Sequence, residues 1–322
     1  MTPVVWSAAE AAERLDRPTA DLDAGVLRGV PAIVVEDAHL LAEDAAAPLA
    51  LLPVATIGVA VHGSAPGFDA LADDLDGAVR LADAAHRHPG AATTLAQLLR
   101  ASEGQSTEAG LLLESTAYAT LQAGPEHAAW LAGRGRRVRP EEAEPPVLVA
   151  DEGDRFHLTL NRPRLHNMLS AAMRNALVES LRGLAAGDDR PILLDGAGPS
   201  FCAGGDPAEF GSVADPATAH LVRTSGNAAP WMDRLAERLT VRVHGAAVGA
   251  GVELAAFAAR VEATPDATFR LPEVAMGLVP GAGGTVSVPR RIGRQRTLAW
   301  CLDGEAIDAA TALDWGLVDA VG

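Results

Sequence analysis

The sequence has 322 residues, of which 48% are hydrophobic, and a formal net charge of -16. This apolar content is enough for a buried core, while the negative charge argues against nucleic-acid or anionic membrane partners, because both are bound mainly through excess positive charge. Lysine is absent, which excludes a Walker A loop and a Schiff-base lysine. Cys202 and Cys301 form no CxxC pair, so we expect a reducing, cytoplasmic location and no metal site.

The N-terminal region carries no signal-peptide pattern, because a basic segment, an apolar run and a cleavage site are all missing from it. Residues 45–61 form the most apolar stretch of the chain. Two prolines interrupt this stretch and β-branched residues crowd its second half. We therefore predict one or two buried strands there, and no membrane helix.

Residues 67–133 show a helical pattern. Apolar side chains recur at intervals of three and four from Phe68 to Val79, which predicts a helix with one apolar face. The sequence HPG at residues 88–90 breaks this run, and three more short helices follow, the last of them opened by Pro125. These helices predict a layer whose apolar faces cover another part of the protein.

A charged, proline-rich segment at residues 134–146 separates two parts of the sequence that differ in their pattern of apolar residues. We interpret it as a solvated linker. It predicts a mostly helical N-terminal domain at residues 1–145 and a second domain at residues 146–322. In the second domain, short β-rich runs alternate with amphipathic helices, which predicts parallel strands with crossover helices and an α/β core.

Two glycine-rich turns follow predicted strands in this second half. They are FCAGGD at residues 201–206 and GAGVEL at residues 249–254. Glycine and alanine leave the main chain open to a ligand, and ligands in parallel sheets bind where strands end. Each turn could be structural when taken separately. Two turns that face each other could direct two N–H groups at one oxygen, as in an oxyanion hole.

The two turns, together with LNRPRLHNML at residues 160–169 and the stretch from residue 267 to residue 321, resemble the crotonase, or enoyl-CoA hydratase/isomerase, superfamily. The resemblance covers residues 147–322 and implies a crotonase-like ββα spiral core that binds an acyl-CoA thioester. It implies no cofactor beyond the coenzyme A of the substrate. It also implies that the N–H groups of Gly205 and Ala250 hold the thioester oxygen.

The resemblance further implies that Glu253 and Glu273 are the acid and base of a hydratase, which hold a water between them. Crowding of two carboxylates raises the pKa of one, so that an acid and a base coexist near neutral pH. Two structural alternatives stay open at this point. Glu253 could stabilise the start of its helix, and Glu273 could form an ion pair.

For the coenzyme A part of the substrate, the resemblance implies contacts from Arg162 and Arg164, whose guanidinium groups suit phosphates. Ala203 and Asp206 are implied at the substrate as well. Either arginine could instead lie on the surface, and Asp206 could stabilise its turn.

Other activities stay open. The helical half is similar to the extension that precedes the core of cofactor-independent dihydroxyphenylacetyl-CoA dioxygenases, although an amide is expected there in place of Glu253. An enoyl-CoA isomerase would need only one carboxylate. The resemblance implies a homo-oligomer, a trimer or hexamer, or association with a partner subunit. The sequence ends where family members usually continue into helices that cover the site and form a trimer, so the oligomeric state stays open. A non-catalytic acyl-CoA-binding partner is a further alternative.

Overall fold

The computed structural model describes residues 3–17, 24–42, 44, 47–60, 65, 67–134, 144–213 and 215–322. The predicted linker falls largely on residues 135–143, outside the described residues. The N-terminal part contains a parallel sheet followed by a helical layer. Its elements are β1 (Val4–Trp6), α1 (Ala8–Leu15), β2 (Ala32–Val35), β3 (Ala55–Val59), β4 (Ala70–Ala72), α2 (Leu75–Arg87), α3 (Pro89–Ser102), α4 (Thr107–Gln122) and α5 (Pro125–Ala132).

The N-terminal sheet has the strand order β1-β2-β3-β4, and all of its pairings are parallel. Strand β2 is buried along its whole length. Because successive side chains point to opposite faces, Ala32 and Val34 join the main core of the protein, and Ile33 and Val35 join a smaller cluster on the other face. This pattern of burial on both faces is typical of a covered parallel sheet.

The structure confirms the buried strand predicted within residues 45–61, which is β3, and the helices predicted between residues 75 and 133. The helix predicted to begin at Phe68 is wrong at its start. Phe68 belongs to the smaller apolar cluster, β4 pairs with β3, and α2 begins only after Asp74, whose side chain accepts a hydrogen bond from the N–H of Gly77.

The second half of the chain supplies the α/β core. Its elements are β5 (Val147–Asp151), β6 (Phe156–Leu160), α6 (Ala171–Ala186), β7 (Ile192–Gly196), α7 (Pro216–Ser225), α8 (Ala229–Arg234), β8 (Leu239–Val243), β9 (Ala246–Val248), α9 (Ala250–Ala255), β10 (Arg260–Ala263), β11 (Thr268–Arg270), α10 (Gly284–Ile292), α11 (Arg294–Asp303), β12 (Ile307–Asp308), α12 (Ala309–Trp315) and β13 (Ala320–Val321).

Two sheets organise this half. The larger has the order β13-β10-β8-β7-β6-β5 and is parallel except for the β5–β6 pair. The smaller has the order β12-β11-β9, with β9 and β11 parallel and β11 and β12 antiparallel. The alternation of strands and helices confirms the predicted α/β class.

The helical layer and the α/β half share one continuous apolar core, to which α2, α3 and α4 contribute side chains. Helix α4 approaches α10 closely at Gly110, where a Cβ would stand 2.7 Å from Cγ2 of Val286. The division into domains at residues 145 and 146 stays a prediction. Among the described residues, no helix is long and apolar enough to cross a membrane.

Asp69 connects the N-terminal sheet to the helices. This buried carboxylate accepts hydrogen bonds from the N–H and the hydroxyl of Thr56, at 2.8 and 2.9 Å. It forms ion pairs with Arg100 of α3 and Arg294 of α11. Arg100 in turn donates to the carbonyls of Leu52 and Val54, at 2.8 and 2.6 Å. The carboxylate therefore bridges two arginines at the junction of three elements, and Arg294 also pairs with Glu103 at 3.2 Å.

We predict that Asp69→Ala lowers the free energy of unfolding by about 3–5 kcal/mol, because the substitution leaves the largely buried guanidinium of Arg100 without its carboxylate partner. Urea denaturation measures the change, with Asp73→Ala as the control, since Asp73 is exposed. Equal stability of the two variants would contradict the central role of Asp69.

Candidate active site

The two glycine-rich turns lie side by side. The N–H of Val248 donates to the carbonyl of Cys202 at 2.9 Å, and a Cβ on Gly251 would collide with the same carbonyl oxygen. Gly204 has a φ of 89° and Gly249 a φ of 48°. Both values lie in the left-handed region, which glycine adopts without steric cost. These turns follow strands β7 and β9, as predicted.

The N–H groups of Gly205 and Ala250 donate to no acceptor within the described part of the chain, whereas those of Asp206 and Gly249 do. The N–H of Asp206 donates to Leu169 at 3.0 Å, and that of Gly249 donates to Arg270 at 2.8 Å. Ala250 is the first residue of α9, where main-chain N–H groups have no acceptor within the helix. Both predicted donors therefore remain available for a ligand.

Glu253 lies on α9, one turn after Ala250, and its side chain is buried. Its Oε2 atom accepts hydrogen bonds from the N–H groups of Ala282 and Gly284, at 2.6 and 2.9 Å. Burial raises the pKa of Glu253 to about 7, although these backbone donors oppose the rise. The carboxylate thus titrates near neutral pH.

Glu273 faces the same space as Glu253. A Cβ on Gly249 would collide with Oε1 of Glu273 and would stand 4.0 Å from Oε1 of Glu253. Oε2 of Glu273 is buried and has no hydrogen-bond partner within the described residues. Burial, together with the Glu253 carboxylate, raises the pKa of Glu273 well above its ordinary value. The structure therefore brings the two predicted acids together beside the second turn.

Glu114 is a third buried carboxylate at this site, and the sequence analysis missed it. It lies on α4 of the helical layer. Its Oε1 accepts from the N–H of Gly283 at 2.8 Å, and its Oε2 accepts from the N–H and the hydroxyl of Thr285, at 3.0 and 2.7 Å. Glu114 and Glu253 therefore hold one main-chain segment, residues 282–285, between them.

Burial and the nearby Glu253 carboxylate raise the pKa of Glu114 to about 8, against the effect of its three donors. The available sequence signal is a single carboxylate within the apolar run GLLLES of a helix. Such a pattern indicates a buried acid with a partner elsewhere in the fold.

Aromatic side chains of the helical layer lie next to the first turn. A Cβ on Gly205 would stand 3.2 Å from Cζ of Phe210. The Phe210 ring contacts that of Trp130 edge to face, with centroids 5.6 Å apart, and Trp130 stacks on the buried His127 at 5.5 Å. Helix α5 therefore supports this turn.

Arg162 is buried and forms an ion pair with Asp206, at 3.1 Å. It also donates to the carbonyl of Met168. Asp206 accepts from the N–H of Ala208 at 3.0 Å, which supports a role in stabilising its turn. The N–H of Ala203 donates to His166 at 2.9 Å. This geometry favours internal roles for Arg162 and Asp206.

Arg164 is exposed at the surface of the protein. Contact of Arg162, Arg164, Ala203 or Asp206 with coenzyme A stays a prediction. Within the part of the chain that the structure describes, no cluster of three or more His, Cys, Asp or Glu side chains could hold a metal ion.

Two adjacent strand-end turns with available N–H groups lie beside buried carboxylates in an α/β core, which is the arrangement that the resemblance to the crotonase superfamily predicts. Residues 156–322, more than half of the chain, match the family described as Enoyl-CoA hydratase/isomerase. The chain belongs to this enoyl-CoA hydratase/isomerase family.

The enoyl-CoA isomerase/hydratase fer4 of Mycosarcoma maydis is 31% identical over 176 residues, which are 52% of this chain and 64% of that protein. The 2,3-dehydroadipyl-CoA hydratase of Escherichia coli K12 is 36% identical over 169 residues, which are 51% of this chain and 64% of that protein. The match thus spans less than two thirds of these relatives.

The crystal structure of enoyl-CoA hydratase from Thermoplasma volcanium GSS1 superimposes with a TM-score of 0.52 at 30% identity. The superposition covers 56% of this chain and 72% of that one. This similarity confirms the predicted crotonase fold.

We predict that Glu114→Gln lowers the free energy of unfolding by about 1–3 kcal/mol, because the amide nitrogen that replaces one carboxyl oxygen cannot accept the hydrogen bonds of that oxygen. The pH dependence should change as well. In the folded protein Glu114 holds its proton up to about pH 8, whereas the ordinary carboxyl value is 4.5. The stabilisation due to this proton is therefore complete below pH 4.5 and is lost as the pH rises through about 8.

Urea denaturation at several values between pH 5 and pH 8 measures this effect. The variant should lose less stability than the natural sequence as the pH rises. Parallel curves for the two proteins would contradict the raised pKa of Glu114.

Proposed function

We propose that the protein adds water to a 2-enoyl-CoA thioester, with Glu253 and Glu273 as base and acid. The observation that carries the proposal is the pair of buried carboxylates beside Gly249, one of which has an oxygen without a partner among the described residues. An oxygen of this kind is costly to bury unless it serves a ligand or holds a proton. Glu253 of this pair lies one helical turn from the available N–H group of Ala250.

The thioester oxygen would be held by the N–H groups of Gly205 and Ala250. As water adds to the β-carbon, negative charge develops on this oxygen, and hydrogen bonds to it strengthen in a site that excludes water. Loss of one such donor typically costs about 2.7–4 kcal/mol of barrier. The side chain at position 250 does not take part in this contact, so alanine serves there as well as glycine.

The two proton transfers give one role to each acid. Glu253, with a pKa of about 7, is ionised in much of the population at neutral pH and accepts a proton from the attacking water. The hydroxide oxygen forms a bond to the β-carbon, and the π electrons move to the thioester oxygen. Glu273, whose pKa is well above the ordinary value, gives its proton to the α-carbon as the carbonyl re-forms.

Two acids that border one space favour hydration over isomerisation, which needs only one carboxylate. An oxygenase of aryl-acetyl-CoA thioesters and a non-catalytic acyl-CoA-binding subunit stay alternatives. Assays of crotonyl-CoA hydration, run under air and under nitrogen beside an aryl-acetyl-CoA, separate these activities. Loss of the enoyl absorbance indicates hydration, and oxygen consumption indicates the oxygenase.

We predict that Glu253→Gln and Glu273→Gln each reduce kcat by at least about 100-fold, because each substitution removes one proton-transfer group. Binding of a saturated acyl-CoA, measured by calorimetry, should stay largely intact. Glu179→Gln, an exposed substitution on α6, is the matched control. Unchanged turnover in both site variants would contradict the proposed roles.

We predict that kcat/KM falls as the pH drops below about 7, because protonation of Glu253 removes the base. The rate should fall again at high pH, where Glu273 loses its proton. The apparent pKa values of the two falls in rate belong to the coupled pair of acids and not to either residue alone. A pH–rate profile tests the prediction, and a flat profile between pH 5 and pH 8 would be the opposing result.

A further inference from the structure

A cavity of about 140 Å³ adjoins the proposed site. Its walls come from the start of α6, the end of α7, α9 and the segment before α10. The residues that line it include Leu169, Arg174, Glu209, Arg223, Leu254 and Ala282.

This cavity touches both halves of the site. Leu169 forms a parallel bridge with Gly205, and its N–H donates to Gly204 at 2.7 Å. At another wall, the N–H of Ala282 donates to Glu253 at 2.6 Å. A thioester held at Gly205 and Ala250 would therefore have the cavity beside its acyl group.

Two arginines line the cavity, and neither forms an ion pair with a carboxylate among the described residues. Arg223 donates to Oγ and to the carbonyl of Ser115, at 3.2 and 3.4 Å, and to the amide oxygen of Gln122, at 3.3 Å. Arg174 donates only to the amide oxygen of Asn175, at 2.9 and 3.2 Å. Both side chains are half-buried, so water screens their charges only in part.

The carboxylate that lines the cavity, Glu209, already has a partner. Its Oε2 accepts from the N–H of Ala171 at 2.8 Å, at the start of α6. Glu114 influences Arg223 through space but forms no ion pair with it. The cavity wall therefore carries two positive charges and one negative charge.

Arg223 is held in place by the helical layer. Its guanidinium stacks on the ring of Tyr118 at 4.3 Å, and that ring packs against Gly281. With Ser115 and Gln122, these contacts fix the guanidinium and leave further N–H groups without acceptors among the described residues. A fixed guanidinium loses little conformational freedom when it binds a carboxylate.

We propose that this cavity receives the far end of the acyl group and that Arg223 and Arg174 bind a carboxylate there. The substrate would then be the monothioester of a short unsaturated dicarboxylic acid. The volume agrees with a short chain, since a water occupies about 30 Å³ of liquid and the cavity would hold roughly four or five atoms of that size. A γ-methylene and a carboxylate are four such atoms.

This inference rests on the proposed binding of an acyl-CoA thioester at Gly205 and Ala250. Glutaryl-CoA and pentanoyl-CoA are suitable probes, because both carry five-carbon acyl groups and differ only in a terminal carboxylate or methyl. Both are saturated, so their binding does not depend on turnover. Isothermal calorimetry of the full chain gives the two dissociation constants, with phenylacetyl-CoA as a third thioester.

We predict that the natural sequence binds glutaryl-CoA at least about tenfold more tightly than pentanoyl-CoA, as expected for charge-assisted hydrogen bonds. Arg223→Gln and Arg174→Gln should each remove most of this preference and leave pentanoyl-CoA binding unchanged. Gln at position 223 retains a donor for Ser115, and thermal unfolding checks that both variants fold. Arg182→Gln is the matched control, because Arg182 lies on α6 outside the cavity and should keep the preference.

Equal binding of glutaryl-CoA and pentanoyl-CoA overturns the inference, as does a preference that survives both arginine substitutions. Tighter binding of phenylacetyl-CoA than of glutaryl-CoA also overturns it. If the glutaryl preference holds but crotonyl-CoA and a carboxylated enoyl thioester are not hydrated, the inference stands and the hydratase proposal alone fails. Binding of none of the thioesters would contradict both proposals.

Discussion

The site depends on one arrangement: two buried carboxylates accept hydrogen bonds from the main chain of residues 282–285. Glu253 binds the N–H groups of Ala282 and Gly284, and Glu114 binds those of Gly283 and Thr285. Consecutive N–H groups along this segment thus donate to the two acids in alternation. These hydrogen bonds fix the segment before α10, and with it one wall of the space in which Glu253 lies.

This arrangement makes the helical layer part of the site. The family match begins at residue 156, whereas Glu114 lies on α4, far before it. Tyr118 on the same helix packs against Gly281, and Ser115 accepts a hydrogen bond from Arg223. One face of α4 therefore contacts the start of α10, the loop before it and the arginine of the cavity. The layer does more than cover apolar surface.

The sequence predicted the parts of the site that are local along the chain. Each glycine turn and the carboxylate of GAGVEL lie within a few residues of one another, so a short motif places them together. The α/β class followed from the alternation of strands and helices. Glu114 could not be located in this way, because its partner Gly283 is 169 residues away. Only the folded structure shows that two residues so far apart in the sequence are in contact.

The other features that the sequence analysis did not predict also depend on contacts between distant parts of the chain. The apolar spacing around Phe68 fits a helix, but the parallel pairing of β4 with β3 sets the local structure instead. Arg162 belongs to a motif that suggests phosphate contact, which stays a prediction, and the structure adds an ion pair with Asp206, 44 residues away, that the local sequence does not show. In each case a tertiary contact supplies what the local sequence leaves open.

The separation of Glu114 from Gly283 has a consequence for the order of assembly. Contacts that close a long loop form late, because the entropy of closure must be overcome before they contribute. During synthesis, α4 is complete well before residues 281–285 have been made. Glu114 therefore gains its main-chain partners only after residues 283–285 have been made and have docked on α4.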